Sequence, residues 1–247
     1  TFEMTPGPLA EALTAEIQAL YALDEIPWII GYSGGKESPE VLQLVWNAIA
    51  QLPRRECKKT IHIISTDTRV ENPIVSAWVQ QSHEQIKVAA RRRRLPFEPH
   101  LLLPAVKDTF WVNLIGKGYP APRQKFRWCT ERLKIKPSNA FVREQVRAHG
   151  ETILVLGTRK AESSKRAHTM AKHAKSRVRD RLSPNAALPN SLVYSPIEDW
   201  SDEKVWLYLH GHRNPWSAKD KDLNKDLFRI YRGATADNEC PLVVDTS

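Results

Sequence analysis

One short run concentrates the chemistry of this sequence: Ser33-Gly34-Gly35-Lys36-Glu37-Ser38. It brings together two hydroxyls, two glycines, an ammonium and a carboxylate. Glycine lets the backbone come close to a ligand, lysine offers a point charge, and the serines offer donors. The apolar run Ile26-Pro-Trp-Ile-Ile-Gly-Tyr32 leads into it, and the helically spaced Glu40-Val-Leu-Gln-Leu-Val-Trp-Asn-Ala-Ile-Ala50 leads away. Strand, tight loop and helix start are therefore expected, with Ser38 as N-cap and Pro39 in the first helical position, where a missing N–H goes unused anyway. The N–H groups and dipole of a helix start favour an anion, and phosphate is the commonest guest. The spacing is not that of the usual P-loop, which has four residues between its glycines and closes on Gly-Lys-Ser/Thr.

Two more strand-like runs end in reactive side chains. Thr60-Ile-His-Ile-Ile-Ser-Thr66 is β-branched and apolar and passes into Asp67-Thr-Arg-Val-Glu71. Acids at the carboxyl end of a parallel strand stand where ligands bind, so Asp67 and Glu71 either face a site or cap a solvated turn. Thr152-Ile-Leu-Val-Leu-Gly157 passes into Thr158-Arg-Lys-Ala-Glu162 and on to Arg166. The guanidinium forks of Arg159 and Arg166 match phosphate, while Glu162 could steer Arg159 or reach a metal. Cys129 falls near the start of a helix expected over 130–148, kinked near Pro137, with Arg127, Arg132 and Lys134 nearby. That setting favours thiolate, fit for a metal ligand or a sulfur carrier. Cys57 has no such company and reads as structural.

The elements that must position these groups follow from periodicity. Helical spacing covers 8–22, with Leu9, Leu13, Ile17 and Leu20 on one face. It returns over 41–51, over 73–94 with Ile74, Trp78, Ile86 and Val88 as the apolar side, and briefly over 108–115. The basic end Arg91–Arg94 is either a solvated helix terminus or a contact for a phosphate backbone. Phe97–Leu103 reads as a third strand, near an edge because of Pro99. Residues 168–191 are basic and lack apolar periodicity, which suggests a flexible insertion, either a nucleic-acid flap or a solvated loop. A strand from Leu192 is followed by a helix that Ser201 caps, and the tail from Leu227 reads as irregular. The fold class is α/β, a mainly parallel twisted sheet with helices on both faces and the site at the strands' carboxyl ends. A main domain is expected over 1–210 and a C-terminal cysteine-bearing segment over 211–247.

Composition narrows the function classes. The 247 residues are 41% hydrophobic and 26% charged, with net charge +9; that is ordinary for a soluble globular chain and suits a polyanionic partner. No apolar run approaches a membrane span, and no secretory signal pattern opens the sequence. Three cysteines without regular spacing fit a reducing cytoplasm better than a disulfide framework.

Ser33–Ser38 resembles the Ser-Gly-Gly-x-Asp-Ser loop of the ATP pyrophosphatases. With Trp128–Pro137, Gly157–Arg166 and Ser195-Pro-Ile-Glu-Asp-Trp200 in the same order, the chain looks like the phosphoadenosine-phosphosulfate (PAPS) reductase superfamily, with its adenine-nucleotide alpha-hydrolase-like fold. Asn214-Pro-Trp216, Leu227 to Gly233 and Glu239-Cys240-Pro-Leu-Val-Val-Asp-Thr-Ser247 carry a nearer resemblance to the Dnd-type sulfurtransferases of DNA phosphorothioation. Glu37 stands where that family has Asp, and Pro39 where a small or hydroxylated residue is common. The resemblance implies an ATP pyrophosphatase that adenylates a phosphate oxygen of DNA, which sulfur from a persulfide then replaces. It implies ATP and Mg²⁺, catalytic roles for Ser33, Lys36, Asp67 and Arg159, and nucleotide contacts from Ser33, Gly34, Gly35, Lys36, Glu37, Ser38, Asp67, Gly157, Arg159, Glu162 and Arg166. It also implies a 4Fe–4S cluster with Cys129 and Cys240 as two of four ligands, the others lying past the end of a truncated chain. The implied partners are DNA, a cysteine desulfurase as sulfur donor and other phosphorothioation proteins. A reductase of adenylyl-sulfate compounds shares the fold, and a non-catalytic nucleic-acid-binding module is the reading from another class.

Overall fold

Trp28, Ile29 and Ile30 are wholly buried, and they make β1 (Trp28–Gly31) the centre of the sheet. A strand apolar on both sides belongs in a parallel sheet covered on both faces. The computed structural model describes residues 6–123, 125–178, 181–219 and 221–232, and it has that sheet. Strands β2 (Ile61–Thr66) and β4 (Thr152–Val155) flank β1 in parallel. Beyond β2 lies β3 (Phe97–Leu102), an edge strand as Pro99 requires; beyond β4 lies β6 (Ser191–Tyr194). The two-residue β5 (Ser183–Pro184) pairs antiparallel with β6, giving the order β3-β2-β1-β4-β6-β5.

Strand alternation divides the core into two layers. Trp28, Ile30, Ile61 and Ile63 face a large layer built by α1 (Pro6–Ala22), α2 (Glu37–Ala50), α3 (Pro73–Arg93), α6 (Asp202–Gly211) and α7 (Leu223–Arg232). Ile29 and Ile64 face a smaller layer under α4 (Lys136–His149). The chain runs outward from β1 to β3 and then returns across the sheet to β4. Right-handed crossovers put the helices of those opposite journeys on opposite faces.

Several expected elements take another form. Helix α2 opens at Glu37, so Ser38 lies in its first turn and is not the N-cap; Lys36 holds that position without a side-chain cap bond. On α3 the buried side is Trp78, Ser82, His83, Ile86, Ala89 and Ala90. Ile74 and Val88 lie off that stripe and are 66% and 63% exposed. The run Arg91–Arg94 ends α3 beside the start of β2, since Leu95 N–H donates to Ala90 O and Ile61 N–H to Pro96 O. It therefore sits at the end of the sheet away from the glycine loop. The helix expected over 130–148 is a π-helical turn, Thr130–Ile135, leading into α4, with Pro137 in the first turn of α4. Residues 106–116 form a 3₁₀ turn and a π-helical turn in place of one short helix. The segment read as an irregular insertion contains α5 (Ser164–Ala174), capped by the Ser163 hydroxyl that accepts from Arg166 N–H, then a Val178–Leu182 bridge and β5. No residue of α5 is buried, so it has no apolar stripe to detect; its alanines and lysines supply propensity. The tail is helical through α7, where Leu223 and Leu227 are wholly buried in the large layer with Trp216. Cys240 and the rest of 233–247 lie outside the described residues.

Candidate functional site

The strand order turns back between β1 and β4, and such a reversal leaves a crevice at the carboxyl ends. The loop after β1 and the loop after β4 meet there. In the first, Gly34 has φ +82°, the left-handed region that suits glycine. A Cβ there would also lie 2.8 Å from Val79 Cγ2. Ser33 and Ser38 tie the loop together. Ser33 N–H donates to Ser38 Oγ at 3.1 Å, Ser38 Oγ donates to Gly35 O at 3.1 Å, and Gly35 N–H donates to Ser33 Oγ at 3.3 Å. The second loop passes so near that a Cβ on Gly157 would lie 2.8 Å from Glu37 O; backbone cannot yield there, so glycine is needed.

A cavity of about 360 Å³ opens at this junction. Ser33, Glu37 and Ser38 line it from one side, Gly157, Thr158, Glu162 and Arg166 from another, and Lys134, Ser138 and Asn139 from the start of α4. Its apolar floor is Ile64, Val142, Leu154 and Leu156. A second cavity of about 590 Å³ shares Thr158 and Arg166 with it. Lys165, His173, Arg177 and Arg181 line that one, and Glu198 is its one acid among the described residues. Arg177 Nη2 reaches both Glu198 oxygens, at 2.6 and 2.5 Å. The described residues of segment 168–191, read as a loose insertion, thus form a wall from α5 and the β5 hairpin.

Arg159 does not offer its fork to a ligand. It is 1% exposed; its guanidinium donates to Glu37 Oε1 at 2.8 Å, to Trp200 O at 3.2 Å and to Asp202. Asp202 also accepts from Lys36 Nζ at 3.1 Å, which draws that ammonium toward α6 and the Trp206 ring. Burial works against ionised Asp202, but the hydrogen bonds from Arg159 and Lys36 outweigh it and hold the carboxyl below its usual range. Glu162 braces the same loop: its Oε1 accepts Arg159 N–H at 2.8 Å, and its other oxygen accepts from Arg166. Asp67 follows β2, where its Oδ1 accepts Arg69 N–H at 2.8 Å, and Glu71 pairs with Lys134 at 2.9 Å. Neither acid lines the cavity, and neither do Gly34, Gly35 and Lys36 by their side-chain or backbone surface.

Sequence reading passed over two members of this neighbourhood. Asp202 is 166 residues from Lys36, and its motif signals only a helix start. Glu40 is wholly buried in α2 with neither carboxylate oxygen hydrogen-bonded; the available signal was a lone acid among Pro39, Val41 and Leu42 on a helix buried almost all round. Burial pushes its pKa well above the usual glutamate value, Arg159 opposing and Glu37 adding to the rise. The folded chain therefore keeps a proton that the unfolded chain releases above about pH 4.5, and stability falls as pH rises past that point. Glu40→Met removes both unpaired oxygens. It is expected to stabilise the protein by about 1–3 kcal/mol at neutral pH, with the gain in thermal midpoint growing between about pH 5 and pH 8. A gain independent of pH would mean that Glu40 titrates alike in the folded and unfolded chain.

Cys129 lies in an apolar cluster with Phe110, Trp128 and Leu133 and is 4% exposed. Two of the three cations expected near its thiol pair with acids: Arg132 with Asp108 at 2.9 Å and Lys134 with Glu71 at 2.9 Å. Cys57, part-exposed, has its thiol pKa pushed up by burial and by Glu56. Among the described residues these two cysteines belong to no group of three or more metal-ligating side chains. The described residues therefore do not fit a 4Fe–4S cluster, which takes four thiolates.

A doubly wound parallel sheet with a glycine loop and a cavity at its reversal point defines a nucleotide-binding α/β class. The family profile of the phosphoadenosine phosphosulfate reductase domain matches residues 27–217, and the chain belongs to that family. An uncharacterised protein of Methanocaldococcus jannaschii is 26% identical over 203 residues, 81% of this chain and 35% of that protein. The chain thus spans about a third of the curated relative it matches. The phosphoadenylyl-sulfate reductase of Candida auris, solved as a phosphate complex, is similar in fold, with TM-score 0.50 and 12% identity over 85% of this chain and 87% of its own. A U34-tRNA thiolase of Methanococcus maripaludis, solved with its 4Fe–4S cluster, gives TM-score 0.47 and 13% identity over 89% of this chain and 72% of its own. Among the described residues no helix is long and apolar enough to cross a membrane.

Proposed function

We propose that the chain binds ATP in the smaller cavity and uses it to activate a phosphate oxygen of DNA for replacement by sulfur. The observation that carries this reading is the adjacency of the two cavities, which share Thr158 and Arg166 in their walls: one sized for a nucleotide, the next basic and suited to a polyanionic backbone. The floor of Ile64, Val142, Leu154 and Leu156 suits an adenine ring. The Ser33–Ser38 loop and the start of α2 suit the phosphates. Mg²⁺ would neutralise phosphate charge, and Glu37 and Glu162, hard oxygen donors lining the cavity, are the groups that would hold it.

A non-bridging DNA oxygen attacks the α-phosphorus, and the bond to pyrophosphate breaks. The terminal sulfur of a persulfide, delivered by a cysteine desulfurase, then attacks the DNA phosphorus as AMP leaves. A thiol of a partner protein takes the carrier sulfur as a disulfide, leaving the phosphorothioate. Arg166, which lines both cavities, and Lys165 and His173, which line the larger one, would hold the DNA phosphate; such contacts give affinity that falls steeply with salt.

Duplex DNA is expected to stimulate pyrophosphate release from ATP, and labelled sulfur from a persulfide donor is expected to enter DNA in an ATP-dependent way. The family and fold also favour a second reading, reduction of adenylyl sulfate. Formation of sulfite from adenylyl sulfate and a dithiol, with no response to DNA, would overturn the first reading and establish the second.

A further inference from the structure

His62 on β2 and Glu98 and His100 on edge strand β3 converge on one face of the sheet. Register sets His62 opposite Glu98 and Ile64 opposite His100, and alternation puts Glu98 and His100 on the same side. His62 Nδ1 and His100 Nε2 are 3.0 Å apart, Glu98 Oε2 is 3.8 Å from His62 Nδ1, and the three donor atoms all lie within 4.8 Å of one another. Helix α4 covers the group. The Phe141 ring is 5.4 Å from that of His62 and 4.9 Å from that of His100. Gln145 hydrogen-bonds His62, and Glu144 and His149 also face the pair.

We propose that His62, Glu98 and His100 bind a divalent first-row transition ion of the zinc class. Two imidazoles and a carboxylate are a donor set that zinc takes at about 2.0–2.2 Å, leaving a fourth position for solvent. Tetrahedral bonds of that length separate two nitrogens by about 3.3 Å, so the rings need open by only a few tenths of an ångström. A direct ring-to-ring hydrogen bond satisfies one nitrogen of each; an ion engages both rings and the carboxylate together. Gln145 supplies the kind of outer partner that orients a ligating imidazole. Glu98, with its side chain 60% exposed, leaves an entry path from solvent. His62 precedes Ser65, which lines the ATP cavity, by three residues, about 10 Å of strand. The ion is therefore a clamp that pins edge strand β3 to β2 under α4, and takes no part in the chemistry.

The test uses the full chain, stripped by a chelator and titrated with zinc against a chromophoric competitor, with cobalt absorption as a second readout. One equivalent is expected to bind and to raise the thermal midpoint without nucleotide. Glu98→Gln, at an exposed side chain, is expected to keep the metal-free fold and to weaken binding by at least the roughly 10–100-fold that loss of an outer partner costs. His62→Ala with His100→Ala is expected to abolish it. No binding by the parent would overturn the proposal. So would Glu98→Gln binding with unchanged affinity, a result that decides the matter even if the histidine variant fails to fold.

Discussion

An Arg159→Ala protein is expected to melt roughly 6–20 °C below the parent, the equivalent of about 3–5 kcal/mol for breaking a buried ion pair in a chain of this size. Arg159 is almost wholly buried, and its guanidinium joins the first turn of α2 through Glu37, the first turn of α6 through Asp202 and the chain between β6 and α6 through Trp200 O. Alanine leaves part-buried Glu37 with only the longer Lys36 pair at 3.8 Å and opens a gap where three segments met. Arg159→Lys is expected to rescue little, because one ammonium cannot span three acceptors that a planar fork reaches at once. The pH dependence carries a sign. Hydrogen bonds hold the Asp202 carboxyl below its usual value near 3.8, so its contribution is complete above that pH and fades as pH falls through the lower folded value. Below about pH 3.8 the gap between parent and Arg159→Ala should therefore narrow. Differential scanning calorimetry at several pH values checks both; parent-like melting would mean the network adds nothing net.

Lys36→Ala should do the reverse, sparing the fold and removing the chemistry. Pyrophosphate release from ATP is expected to drop by about 10²–10³-fold, the usual cost of one preorganised charge-stabilising donor. Asp202, the acceptor of its ammonium, has a side chain 63% exposed, and pairs with exposed partners are worth about 0–1 kcal/mol. The lysine can thus leave Asp202 for a phosphate at small cost, and its loss should move the thermal midpoint little. Ser33→Ala, which removes the acceptor for Gly35 N–H, should also impair turnover. Turnover by Lys36→Ala within threefold of parent, about 0.65 kcal/mol, would remove Lys36 from the catalytic set and leave phosphate binding to the loop amides and Arg166.

Much of the site was local enough to read from the chain. Ser33–Ser38 announces itself because strand, turn and helix signals sit side by side, and the Thr158–Arg166 stretch does so because it follows an apolar run of strand length. The parallel sheet follows from buried runs such as Trp28–Ile30 and Ile61–Ile64, which are apolar on both faces. Pro99 marks its edge strand by the donor it lacks. What escaped were choices made between distant segments. Arg159 looks like a phosphate fork in one dimension; packing of α6 against α2 turns it into a buried brace. Arg132 and Lys134 look like neighbours of the Cys129 thiol until Asp108 and Glu71 pair with them.

By itself, the amino-acid sequence determined where the glycine loop lies, which runs become strands, and that the chain carries a basic excess. Those properties depend on residue type and short spacing, so they survive without coordinates. Tertiary structure alone decided which charges remain for a ligand, that Glu40 is sealed in the core, that α5 and β5 build a wall of the basic cavity, and that His62 meets Glu98 and His100. Each of these depends on strand register or helix docking between residues far apart in the chain, where many pairings are chemically equal and packing selects one.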